Sequence, residues 1–126
     1  LTKKVCARCL RPYTPDPSLS RKAVQALGPY AKPDWRRGQG CDYCLGKAHH
    51  GRVAIDELLA VRTSAEREAL ASIGNRGQLR EKRTTYSHHS LYEDAVLKAA
   101  GGLTTLEEIE STLGDLANLR TPSGRA

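Results

Sequence analysis

The chain has 126 residues, a formal net charge of +6 and a sequence pI near 9.4, with no Phe or Met, one Trp and five Tyr. That length holds one ordinary domain or two very small ones, and its core must be built from Leu, Val, Ile and Ala, a palette that suits helices. No apolar run reaches the roughly 18 residues of a membrane span and no apolar stretch behind a basic start suggests a signal peptide, so the chain reads as cytosolic; the charge permits an anionic partner without choosing one.

Because it opens at Leu1 and contains no Met, further chain upstream is expected. Basic residues gather in the first half (Lys3, Lys4, Arg8, Arg11, Arg21, Lys22, Arg36, Arg37), whereas Leu103 to Leu116 is acidic through Glu107, Glu108, Glu110 and Asp115. This asymmetry points to two units.

In chain order, Leu1 to Val5 suits one strand leading into the first cysteine pair. Pro12, Pro15 and Pro17 predict an extended, loop-like path. Ser20 is the expected cap of a short helix ending near Leu27, with Leu19 and Val24 as a hydrophobic staple and Gly28-Pro29 as the stop. Tyr30 to Gly40 reads as a loop anchored by Trp35. Gly51 to Leu59 reads as a strand from its alternation and β-branched start. Three capping-box signatures follow: Thr63 with Glu66, Ser90 with Glu93, and Thr105 with Glu108. The helices they open present Ala69, Leu70 and Ile73; Tyr92, Ala95, Val96 and Ala99; and Leu106, Ile109, Leu113 and Leu116. A weaker helical stretch is expected around Gln78 to Lys82, and the end after Leu119 reads as a frayed tail.

Cys6 and Cys9 form CARC, Cys41 and Cys44 form CDYC, and 31 residues separate the pairs. Two such knuckles supply four thiolates that can surround one zinc tetrahedrally, a closed structural site. Two disulfides or a redox-active CxxC are the competing uses; a cytosolic chain disfavours the first, and the second needs one pair rather than two. A tetrathiolate zinc centre carries −2, offset by neighbours Lys3, Lys4, Arg8, Arg11 and Lys47. His49 and His50 read as polar loop residues and His88 and His89 as residues leading into a helix, since four cysteines already fill the shell. Arg36 and Arg37 beside Trp35 form the expected contact patch for an acidic partner surface or anionic lipid, with solvated loop charges as the plainer reading.

The order CARC, a Pro-containing insert, GCDYC and then GRVAIDELL resembles the C-terminal region of type II secretion and type IV pilus assembly ATPases. Ser90 to Lys98 (SLYEDAVLK) and Gly102 to Ile109 (GLTTLEEI) resemble that family's closing motifs in the same order. The resemblance implies a hexameric cytoplasmic motor, peripheral to the inner membrane, that docks on a membrane platform protein. The chain itself contains no GxxxxGK[ST] loop or Walker B residue, so the resemblance implies that ATP and magnesium belong to a part of the parent upstream of Leu1, and this region is expected to be non-catalytic. A free zinc-ribbon nucleic-acid binder is the alternative; the scarcity of aromatics near the knuckles and the lack of a finger, RNP or helix-turn-helix pattern count against it, and no nucleic acid is expected.

The expected fold class is α+β: a zinc module inserted in an antiparallel strand pair (Lys3 to Val5 with Arg52 to Leu59), then a mainly helical subdomain. The expected divisions are 1–50 for the module with ligands Cys6, Cys9, Cys41 and Cys44, 51–62 for strand and connection, 63–119 for the helices and 120–126 for the tail. The helices from Thr63 onward are expected to stand without the metal.

Overall fold

The computed structural model describes residues 1–58, 60–75, 78 and 90–115. The architecture is α+β. Strand β1 (Thr2–Val5) leads into a single 3-10 turn (Ala7–Cys9), followed by β2 (Leu10–Pro12), α1 (Pro17–Leu27), β3 (Arg36–Gly38) and β4 (His49–Val53), then α2 (Ser64–Ala71), α3 (Leu91–Ala100) and α4 (Leu106–Leu113). The strands form two antiparallel pairs, β1 with β4 and β2 with β3.

The antiparallel pairing expected around the cysteine module is present, in a shifted position. Thr2 faces Val53, Lys3 faces Arg52 and Val5 faces His49, with an irregularity between Lys3 and Val5. The second strand is therefore His49–Val53 rather than 51–59, and His49 and His50 lie in a strand instead of a loop. The reason lies beyond Val53: the Ala54 carbonyl accepts from Lys98 Nζ at 2.7 Å, and the Asp56 N–H donates to Asp94 Oδ2 at 2.8 Å. Side chains of α3 take the backbone groups that a longer ladder would have used.

Helix α1 starts earlier than the Ser20 signature suggests. Asp16 is the cap, its Oδ1 accepting from the Ser18 N–H at 2.8 Å and the Leu19 N–H at 3.4 Å, and Pro17 takes the first turn, where its missing N–H costs nothing. Leu19 turns into the core while Val24 is 40% exposed, so the expected staple is absent. The stretch read as a loop from Tyr30 to Gly40 contains β3, and Pro12 ends its partner β2; Leu10 faces Gly38, Arg11 faces Arg37 and Pro12 faces Arg36. Three-residue strands are too short for alternation to mark them.

The later helices follow their signatures closely. Thr63 and Glu66 form a full capping box. Thr105 caps α4 by accepting from the Glu108 N–H at 3.2 Å, and α3 begins directly after Ser90. Ala95, Val96, Ala99, Leu106 and Ile109 are buried and join Leu19 and Ala23 of α1 in one core, with Trp35, Leu27, Ile55, Tyr92 and Leu113 packed at its margin. Of the features expected from sequence, Leu59, the helical stretch 79–82, His88, His89, Leu116 and the tail lie outside the described residues.

Residues 1–56 and 91–126 form one unit and 57–90 a second. The structure thus groups α3 and α4 with the cysteine half and separates α2 from them, whereas the sequence reading placed all three helices together. An amphipathic stripe shows that a helix needs a partner without saying which one. Strand β1 is also held from the helical side: the Val5 N–H donates to the Leu103 carbonyl at 2.9 Å, Thr104 Oγ1 donates to the Lys3 carbonyl at 2.9 Å, and Thr2 Oγ1 lies 3.1 Å from Thr112 Oγ1. Among the described residues, no helix is long and apolar enough to cross a membrane.

Candidate metal centre

The 3-10 turn after β1 brings Cys6 and Cys9 round to one point, with the Cys9 N–H donating to the Cys6 carbonyl at 3.3 Å. On the other side, residues 41–47 fold into a second knuckle. The Leu45 N–H donates to the Asp42 carbonyl, the Gly46 N–H to the Cys41 carbonyl and the Lys47 N–H to the Cys44 carbonyl at 3.2, 2.9 and 3.0 Å. This tight path places Leu45 (φ 53) and Ala48 (φ 63) in the left-handed region, a conformation that L-residues hold only when their surroundings over-determine it.

Two backbone bonds fasten the knuckles to each other: the Cys6 N–H donates to the Ala48 carbonyl and the Gln39 N–H to the Cys9 carbonyl, both at 3.0 Å. Gly38 lets this closure happen, because a Cβ there would stand 2.1 Å from the Ala48 carbonyl oxygen. Sequence reasoning passed over Gly38, since a lone Gly in an Arg-rich stretch signals only a turn.

All four sulfurs lie within 4.8 Å of one another. Cys6 and Cys41 are 3.8 Å apart, Cys9 and Cys44 3.9 Å, and Cys41 and Cys44 3.7 Å. Four thiolates at Zn–S distances of about 2.3 Å in a regular tetrahedron have edges of about 3.8 Å, so the donor set and its spacing fit one tetrahedral soft cation. Disulfides would bring each pair to about 2 Å, and all four cysteines are free.

The centre is electrostatically uneven. Burial pushes the Cys6 thiol up to about 11, against the opposing Arg8 backbone N–H. Burial also acts upward on Cys44, yet hydrogen bonds from the backbone N–H groups of Cys41 and Ala48 overcome it and bring that thiol down to about 6. The Cys41 N–H approaches Cys44 Sγ at 3.2 Å. Cys44 is therefore prepared as a thiolate donor, while Cys6 waits for a cation to stabilise its charge.

His49 and His50 make contacts of their own rather than joining the sulfur cluster. His49 Nδ1 lies 3.2 Å from the Lys47 carbonyl, to which it donates, and the His50 ring is tilted against Tyr43 at a centroid distance of 4.4 Å. The Arg8 guanidinium lies 3.9 Å over the other partner in this stack, the Tyr43 ring, so Arg8, Tyr43 and His50 link the first knuckle, the second knuckle and β4. Among the described residues, the four cysteines are the group of His, Cys, Asp or Glu side chains placed to share a metal ion. Arg36 and Arg37 do not form a simple exposed pair: Arg36 Nε donates to Asp34 Oδ1 at 2.8 Å, and the Arg37 guanidinium lies 5.7 Å from the centre of the Tyr13 ring.

Comparison with known proteins places this geometry in a family. Residues 1–111 match the family model described as Type II/IV secretion system protein. The chain is similar to the type IV pilus assembly ATPase PilB of Thermus thermophilus, 32% identical over 109 residues that cover 86% of this chain and 12% of the relative. It is also similar to the type II secretion system ATPase E of Vibrio cholerae, 29% identical over 113 residues that cover 86% of this chain and 21% of the relative. The chain thus spans a small part of the length of either protein, and these matches do not favour a free-standing nucleic-acid binder. By the extent of the family match, the chain belongs to the type II/IV secretion system protein family.

Proposed function

We propose that this region is the non-catalytic, zinc-binding assembly element of a secretion or pilus-assembly ATPase. The observation that carries the reading is the set of four sulfurs within 4.8 Å at the mouth of the β1–β4 pair. Cys6, Cys9, Cys41 and Cys44 would hold zinc, which supplies charge neutralisation and a cross-link between two chain segments rather than a reactive site, because four cysteines leave no open position. Cys44 enters as a thiolate and Cys6 gives up its proton on binding, so loading releases protons and weakens in acid.

The parent would be a cytoplasmic hexamer whose ATP and magnesium sites lie outside this chain, docked at the inner membrane on a platform protein. The family membership and the names of the relatives, both ATPases, support the motor part of this reading. Arg37, exposed at the β2–β3 pair, is a candidate contact for an acidic surface on that partner. Elemental analysis of the purified protein tests the centre: one zinc per chain is expected, and its absence in protein purified without chelator refutes it. Calorimetric titration with Mg-ATP tests the non-catalytic assignment. No saturable heat is expected, and micromolar binding at a single site refutes it.

A further inference from the structure

The four cysteines are not equally sheltered. Cys6, Cys9 and Cys44 are buried, whereas Cys41 is part-exposed and borders a surface cavity together with Gly40, Asp42 and Gly46. Cys41 also has two sulfurs in reach, Cys44 at 3.7 Å and Cys6 at 3.8 Å. Cys44 shares a turn with Cys41, while Cys6 is fixed to the end of β1 and its N–H is committed to the Ala48 carbonyl. Closing from 3.7 Å to the disulfide length of about 2 Å therefore disturbs least backbone within the second knuckle.

We propose that Cys41 makes this centre peroxide-sensitive: a hydroperoxide reaches the Cys41 sulfur first, Cys44 resolves the product to a disulfide, and the chain loses two of its four metal ligands. The proposal rests on the metal-binding reading above. With hydrogen peroxide, the Cys41 thiolate attacks one oxygen, forming S–O and breaking O–O; the departing hydroxide takes a proton and leaves as water. The Cys44 thiolate then attacks the sulfenic sulfur, forming S–S and breaking S–O, and the second hydroxide leaves with another proton as water. Two thiolates, one peroxide and two protons give one disulfide and two waters. The sulfurs lose two electrons and the peroxide gains them.

Cys6 and Cys9 alone cannot complete a four-coordinate shell, so the cross-link between the knuckles opens. What remains between them are the backbone bonds from Cys6 to Ala48 and from Gln39 to Cys9 and the Arg8 guanidinium over the Tyr43 ring. The consequence is a loosened β1–β4 pair under oxidative conditions, reversed by thiol reductant and fresh zinc.

The test treats zinc-loaded protein with stepwise hydrogen peroxide, follows zinc release with a chromogenic chelator, and maps oxidised cysteines by mass spectrometry after alkylation. The expected result is about one zinc released per disulfide, with Cys41–Cys44 as the first bond mapped. Cys41→His retains a ligand at that position while removing the accessible sulfur, and zinc release is expected to slow at least about tenfold. If Cys41→His does not hold zinc, the wild-type disulfide map decides alone. Zinc retained through stoichiometric peroxide, or a first bond that omits Cys41, overturns the proposal and leaves the metal assignment standing. Protein purified without bound zinc overturns both.

Discussion

Replacing Leu106 by Ala tests whether the cysteine module and the helical core fold together. Leu106 is fully buried in the cluster that joins α1, α3 and α4. The change removes three carbons, worth about 2.4 kcal/mol at about 0.8 kcal/mol each, and the residual cavity brings the loss to roughly 3 kcal/mol. A domain of this size has about 5–15 kcal/mol of stability in all, and structural zinc of the finger type contributes about 10–16 kcal/mol, so the metal-free state is expected to be marginal. In such a state, 3 kcal/mol lowers the binding-competent fraction on the order of 100-fold and weakens apparent zinc affinity by the same factor. Competition with a chromogenic chelator measures that affinity, and a thermal melt should show Tm falling by about 12–24 °C. A lowered Tm with unchanged zinc affinity would falsify the single-unit reasoning, because it would mean that the module closes without the helices.

Three further outcomes follow from particular contacts. Gly38→Ala drives a Cβ to 2.1 Å from the Ala48 carbonyl oxygen; the backbone must move, and a loss beyond the usual overpacking cost of about 1–3 kcal/mol is expected, read as lost zinc stoichiometry. Normal zinc content in the variant argues against the close approach. Tyr13 donates to Glu107 Oε2 at 2.8 Å, and burial first, then that carboxylate, raises its pKa. Its contribution is complete below the unfolded value near 10 and is lost as pH rises above it, so Tyr13→Phe should flatten the alkaline fall in stability seen in denaturant titrations. An unchanged alkaline limb refutes this. Asp16 has a lowered pKa, chiefly from the Ser18 side chain and its N–H; its capping of α1 is present above the ordinary carboxylate range and lost as pH falls through the folded value, so helical signal should drop in acid less in Asp16→Asn than in wild type, measured by circular dichroism.

The cysteine spacing made the four sulfurs legible from sequence because chemistry fixes it: two residues between thiolates leave few turns that can aim both at one atom. The helices were legible where a side chain caps its own backbone, as at Thr63 and Thr105, since such a signal is complete within four residues. Asp16 was overlooked because Ser20 offered a second polar cap four residues on, and Pro17 looked like a break rather than a first helical residue. The end of the second strand depended on Asp94 and Lys98, some forty residues away, and no local pattern near Ala54 announces them. The β2–β3 pair and the union of α1 with α3 and α4 are likewise long-range choices. Composition bounds such choices and does not make them.

Strand β1 is made early and completed late. On the ribosome its four residues emerge ahead of the rest of this region, and β4 can pair with it once residue 53 has followed. Leu103, Thr104 and Thr112, which hold its other contacts, lie about a hundred positions downstream. At about 5–20 residues per second, that leaves an incompletely covered strand waiting for roughly 5–20 s. A nascent edge of this kind invites pairing with a neighbouring chain. The cysteine cluster is complete at residue 44, so a metal captured there during synthesis would fix the register of β1 against β4 long before the helices arrive. Cells starved of zinc should then accumulate aggregated rather than merely inactive protein, a defect set while the chain is still being made.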